Sequence, residues 1–128
     1  MVLVDTSAWI EFFRGHRRRG DEVDRLLDTG EASVCGPVLM ELRRGFRTVA
    51  ERRLVLGLIG ACPVLAPPGD IWSEAGDLGY FLRRKGVTVK SFDLLIAAHA
   101  LAHEVPLLTA DADFARMKKA GLPLQLVD

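Results

Sequence analysis

Val2-Leu3-Val4-Asp5-Thr6-Ser7-Ala8-Trp9-Ile10 is the stretch on which the fold turns. Three β-compatible apolar residues, too few for a helix, stop at a carboxylate followed by two hydroxyls. Thr6 or Ser7 suits the N-cap of the amphipathic segment beyond, where Trp9, Ile10, Phe12 and Phe13 recur at helical spacing. The expectation is a buried strand that delivers Asp5 to a sheet edge beside a helix N-terminus. In open α/β sheets ligands bind at that edge, because loops and helix N-termini converge there around a crevice.

The rest of the chain continues the alternation. Gly15-His16-Arg17-Arg18-Arg19-Gly20 reads as a polar turn, Asp21 to Leu27 as an amphipathic helix closed by Gly30, and Ala32 to Cys35 as a strand. Gly36-Pro37 then opens a helix with proline in its first turn, where a missing N–H costs nothing. Glu41 lies about one turn inside that helix, between Met40 and Leu42, with Arg43, Arg44 and Arg47 expected outward. A helix from Ala50 to Gly60, a short strand at Pro63-Val64-Leu65 and the breaker Pro67-Pro68-Gly69 follow. Asp70 to Lys85 is expected as a long amphipathic helix, with Ile71, Ala75, Leu78 and Leu82 on its inner stripe and Trp72 and Phe81 widening it. Leu94 to His103, entered at Asp93, is apolar nearly all round and is expected to be buried. Val105 to Thr109 reads as a strand leading to Asp111 and Asp113, Phe114 to Ala120 as a helix, and Leu124 to Val127 as a final strand. Strands alternating with helices need crossover connections, so the expected fold class is α/β. The architecture is a three-layer α/β/α sandwich with a central, mainly parallel sheet, in a single domain over residues 1–128.

Composition excludes several classes. A chain of 128 residues is long enough to bury a core without disulfides or a structural metal. With 49% hydrophobic and 27% charged residues it is an ordinary globule, and its apolar stretches fall far short of a bilayer span. No basic region leads into a long apolar segment, so no secretory signal and no membrane partner are expected, and the cytoplasm is the expected compartment. Cys35 and Cys62 are too far apart for a CxxC site and are read as reduced small hydrophobes. Lysine plus arginine and aspartate plus glutamate both number 17, so bulk charge does not argue for nucleic acid. The arginines are unevenly spread, however, with Arg14, Arg17, Arg18, Arg19, Arg25, Arg43, Arg44, Arg47, Arg52 and Arg53 in the first half of the chain. They read either as solvated helix faces or as a rim that tracks phosphates.

The acids carry the chemistry. Taken singly, Asp5 and Asp93 read as N-caps, Asp111 and Asp113 as turn and cap residues, and Glu41 as an exposed or buried helical charge. Taken together, the α/β reading places all of them on one side of the sheet. One carboxylate pair at roughly 4 Å costs on the order of 4 kcal/mol at an effective dielectric near 20, so such a cluster must take up protons or bind cations. Oxygen ligands with no Cys or His among them suit Mg²⁺ or Mn²⁺ rather than zinc. Cations so held activate water and stabilise both oxygens of an in-line phosphodiester displacement.

Val4-Asp5-Thr6-Ser7, the early-helix Glu41, the run Asp93-Leu94-Leu95-Ile96-Ala97-Ala98 and Leu107-Leu108-Thr109-Ala110-Asp111-Ala112-Asp113-Phe114 together resemble the PIN-domain nucleases, specifically the VapC-like toxins of prokaryotic toxin–antitoxin pairs. The resemblance covers essentially the whole chain, in order. It implies a metal-dependent endoribonuclease in which Asp5, Glu41, Asp93 and Asp111 are the catalytic, metal-holding quartet and Asp113 is an additional or alternative ligand. Thr6, Ser7 and Thr109 would support them. It further implies Mg²⁺ or Mn²⁺ as cofactor, RNA as substrate, a homodimer, and a cognate antitoxin whose segment wraps the toxin. Arg14, Arg43 and Arg44 are candidates for the RNA backbone, while Trp9, Phe12, Phe13 and Phe46 are candidates either for the antitoxin groove or for the core.

Other readings fit less well. His99 and His103 stand four apart like zinc ligands, but Ala100 sits where a HExxH metalloprotease needs Glu. A dehalogenase-type phosphotransfer domain wants a second Asp where this chain has Ser7, and no Walker or GxGxxG loop is present. The alternative from another class is a catalytically weak PIN-like module that grips RNA or a protein partner. The intact acid set disfavours it.

Overall fold

Val2–Val4 forms strand β1, buried along its whole length, in a computed structural model that describes residues 1–128. The strand is flanked on one side by β2 (Ala32–Cys35) and on the other by β4 (Leu107–Leu108), both parallel to it. Outside β2 lies β3 (Val64–Leu65), also parallel, so the sheet order is β3-β2-β1-β4. The chain moves outward from β1 through β2 to β3, then crosses back to the far side of β1. That reversal puts a topological switch point between β1 and β4, where two loops leave the sheet in opposite directions and open a crevice.

Seven helices make the crossovers: α1 (Thr6–Phe13), α2 (Arg17–Thr29), α3 (Gly36–Arg44), α4 (Val49–Ile59), α5 (Ile71–Arg84), α6 (Ser91–His103) and α7 (Ala112–Lys119). The expected α/β/α sandwich with a parallel sheet is the observed one. Leu3, Val4, Val34, Leu107 and Leu108 of the sheet pack with Trp9, Val23, Ile96, Ala97 and Phe114 of the helices into one core. Trp9 is fully buried, and its indole N–H donates to the Val4 carbonyl at 3.1 Å, tying α1 to the strand that precedes it. As its composition predicts, α6 is buried over Ile96 to Ala100.

Four local expectations are corrected. The basic run is not a turn, because α2 already starts at Arg17, and Gly15 at φ +72° makes the reversal alone. Neither Thr6 nor Ser7 caps α1; Asp5 holds the N-cap position. Leu124 to Val127 is not a full strand but forms one parallel bridge, Leu126 beside Leu107, since β4 spans only two residues. On α5 the inner stripe is narrower than expected: Ala75 and Leu82 are buried, whereas Trp72, Tyr80 and Phe81 are exposed. Both cysteines are free, and burial pushes the Cys35 thiol up to about 12, so it stays protonated. No helix is long and apolar enough to cross a membrane.

Trp9→Phe removes the buried N–H donor and part of the ring volume. We expect it to lower unfolding free energy by about 2 kcal/mol in urea titration, from the lost hydrogen bond and the void together.

Candidate metal centre

The Asp5 amide donates to the Leu108 carbonyl at 2.9 Å, so β1 and β4 run side by side to their carboxyl ends. The next residues across that junction are Asp5 and Thr109. Asp5 is only 3% exposed, and its Oδ2 accepts from the Ser7 hydroxyl at 2.6 Å and from the Thr109 hydroxyl at 2.8 Å. Each hydroxyl has then spent its one proton on the carboxylate, so the 3.1 Å approach of the two hydroxyl oxygens to each other sets a spacing only. Both oxygens still accept: Ser7 Oγ from the Ala110 amide at 2.9 Å and Thr109 Oγ1 from the Asp111 amide at 3.0 Å. The strand-end acid and the loop before α7 are thereby registered on two hydroxyls.

That loop carries Asp111 at the N-cap of α7, where its Oδ1 accepts from the Asp113 amide at 2.9 Å. Asp93 comes from α6 and is not the cap that its sequence context suggests. Lys90 holds the N-cap position and Asp93 is the third helical residue, placed so that its carboxylate can turn inward. Carboxylate oxygens of Asp93, Asp111 and Asp113 lie within 4.8 Å of one another. Glu41, half-buried on α3, stands on the β2 side of the crevice, where its Oε1 accepts from the Thr6 hydroxyl at 2.7 Å. Thr6 and Ser7 thus orient two different acids from adjacent positions.

The electrostatics distinguish the acids. Burial raises the Asp5 carboxyl above its usual range, and the Ser7 and Thr109 hydroxyls and the Thr6 and Ser7 amides pull it partly back. Asp93 has no such relief. It is 6% exposed, its Oδ2 has no hydrogen-bond donor, and burial followed by the charges of Asp111, Asp5, Glu41 and Asp113 pushes it up to about 7. An orphaned carboxylate oxygen facing other carboxylates fits a hard divalent cation, which satisfies the lone pairs and cancels the repulsion together. Of the five acids singled out in the sequence, Asp93, Asp111 and Asp113 stand within ligand range of one another. Asp5 and Glu41 adjoin them, held by Ser7 and Thr109 and by Thr6.

Both Asp111 and Asp113 reach the cluster, and Asp113 also accepts from Arg116 at 2.8 Å on an exposed i,i+3 pair. The histidines lie outside it: His99 Nδ1 donates to the Leu95 carbonyl and His103 Nε2 to that of Ala66. Sequence reasoning missed one residue. Arg19, grouped there with a solvated basic turn, donates from Nε to the Thr109 carbonyl at 2.8 Å. Nothing local distinguishes it from Arg17 and Arg18; only the packing of α2 on α1 does.

Comparison with known proteins bears on the family and the fold. The PIN domain family matches residues 2–120. The chain is 35% identical over 119 residues to VapC ribonuclease Mb1587 of Mycobacterium bovis and to ribonuclease VapC11 of Mycobacterium tuberculosis, covering 89% of this chain and 89% of each relative. Among solved structures, VapBC2 from Rickettsia felis, bound to a DNA fragment from its promoter, superposes with a TM-score of 0.78 at 21% identity, covering 99% of this chain and 98% of that one. VapBC-1 from nontypeable Haemophilus influenzae does so with a TM-score of 0.75 at 25% identity, covering 100% and 98%.

The raised Asp93 value has a definite sign. A carboxyl that holds its proton more tightly when folded contributes stability at low pH and loses it as pH rises through about 7. The loss begins near the ordinary value of 3.8 and is complete above about 7, so in chelator-treated protein the stability of Asp93→Asn relative to the wild type should rise between pH 4 and pH 8, by roughly 1–3 kcal/mol. Melting curves at the two pH values check this.

Proposed function

The chain belongs to the PIN-domain family, and on that premise we propose that it is a metal-dependent endoribonuclease that hydrolyses RNA phosphodiester bonds as the toxin of a toxin–antitoxin pair. The observation that carries the metal dependence is the donorless Asp93 Oδ2 among four other carboxylates. Asp5, Asp93 and Asp111 would hold the cation, with Glu41 and Asp113 completing or flanking the set. Mg²⁺ is the ion the oxygen donors suit, with Mn²⁺ a substitute. When bound, the ion supplies Lewis acidity toward water and toward the phosphate oxygens.

The chain's own groups do the rest. Ser7 and Thr109 hold and aim the Asp5 carboxylate and partly offset the effect of its burial, and Thr6 aims that of Glu41. Protonation of Asp93 below about pH 7 competes with cation binding, so loading strengthens as pH rises. In hydrolysis a water oxygen adds to phosphorus while one P–O ester bond breaks, so no side chain need form a covalent intermediate. The intact acid set favours this reading over a binding module that has lost catalysis.

Partner surfaces are suggested by the similar solved structures, VapBC2 and VapBC-1. A groove lined by Ile10, Phe13, Arg14, Phe46 and Arg47 includes Glu41 in its wall. An antitoxin segment lying there would obstruct the acids. Phe13 and Phe46 suit that role; Trp9, a candidate from sequence, does not, because it is fully buried in the core. The guanidinium groups of Arg14 and Arg47 make no ion pair and suit RNA phosphates or an acidic antitoxin segment at the same place. For the homodimer the supporting feature is α5, where Trp72 is 75% and Tyr80 55% exposed on one side.

RNA cleavage in Mg²⁺ or Mn²⁺, with antitoxin removed, tests the central reading. Asp5→Asn and Asp93→Asn should each cut at least about 100-fold more slowly than the wild type, and chelation should silence all three. Equal cleavage by the three proteins would refute the assignment. For the dimer, Trp72→Glu should elute as a monomer with light-scattering detection, whereas an unchanged mass would move the interface elsewhere.

A further inference from the structure

We infer that Arg19 is a positioning residue for the acidic centre, acting through Thr109 to set the spacing between Asp5 and the Asp111–Asp113 loop. The inference rests on the reading of that centre as a cation site. Arg19 lies in the first turn of α2 and is half-buried, and its Nε donates to the Thr109 carbonyl at 2.8 Å across 90 residues of chain. That carbonyl accepts from no backbone amide, because Thr109 lies beyond the two residues of β4 and before α7 begins. Arg19 is its only protein donor.

Thr109 is 8% exposed and is the hub of the site. Its hydroxyl donates to Asp5 and accepts from the Asp111 amide, so its orientation fixes two acids that arrive from different strands. A charge-assisted bond on its carbonyl restrains the main chain where the short ladder of β4 has ended. The guanidinium makes no ion pair with any carboxylate, so its engagement is with the backbone hub rather than with an acid.

What brings Arg19 there is the glycine after it. A Cβ at Gly20 would stand 3.2 Å from the Phe12 Cα and 3.3 Å from the Glu11 carbonyl oxygen, both backbone atoms of α1. Without that Cβ, α2 seats against α1 closely enough for the side chain before it to reach the end of β4. The neighbouring Arg17 and Arg18 are exposed.

The test uses full-length, metal-free protein and Mn²⁺ alone as probe, with free Mn²⁺ read by electron paramagnetic resonance. Arg19→Met, which keeps bulk and removes the donor, should bind Mn²⁺ about 10-fold more weakly than the wild type, the usual scale for groups that orient ligands. In cleavage, raising Mn²⁺ should restore kcat, with KM for RNA unchanged. Should Arg19→Met fail to fold, Arg19→Gln, polar but too short to span the gap, is read in the same way. Mn²⁺ affinity within twofold of wild type overturns the inference, as does a raised KM for RNA with unchanged Mn²⁺ binding, which would make Arg19 a substrate contact. A wild type that binds no Mn²⁺ would instead sink the cation reading itself.

Discussion

A buried carboxylate at the end of a parallel sheet is the constraint from which this structure is built. Asp5 is removed from water by the core that α1 and β4 close around it, and burial alone would drive it toward its neutral form. Two hydroxyl donors and two backbone amides oppose that. The same hydroxyls accept amides from the loop that carries Asp111, so solvating one acid also locates the next. The short distance between β1 and β4 at the switch point makes this possible.

The second acid of the pocket is treated in the opposite way. Asp93 enters from α6 with one oxygen left without a donor and with four like charges around it. A fold selected only for stability would place an apolar side chain or a donor there, because an unmatched buried carboxylate costs more than either. The contrast between a hydrogen-bonded Asp5 and a donorless Asp93 gives the crevice a need that a bound cation would meet. Glu41, held by Thr6 from the other side, widens it toward the groove between α1 and α3.

Much of this was legible in the residues. The alternation of short apolar runs with amphipathic segments implied the parallel sheet, and strand-end positions identified Asp5 and Asp111. The ordered set of acids pointed to the family. Misreadings arose where a residue's local and tertiary roles compete. Asp93 looks like a cap because caps and first-turn acids share sequence context. The basic run resembled a turn because Gly15 and Gly20 bracket it, yet Gly15 makes the reversal and Gly20 makes a close helix contact. Trp72 and Phe81 have the spacing of core residues but lie on a face that this chain does not cover.

By itself the sequence determined the class of fold and the identity of the acids, because hydrophobic period and residue type are local properties written along the chain. Only the tertiary structure decided which atoms meet. The pairing of Asp5 with Thr109 spans 104 positions and the reach of Arg19 to Thr109 spans 90, distances over which no periodicity carries information. Strand order and the closeness of α1 to α2 set them, and both depend on how the whole core packs.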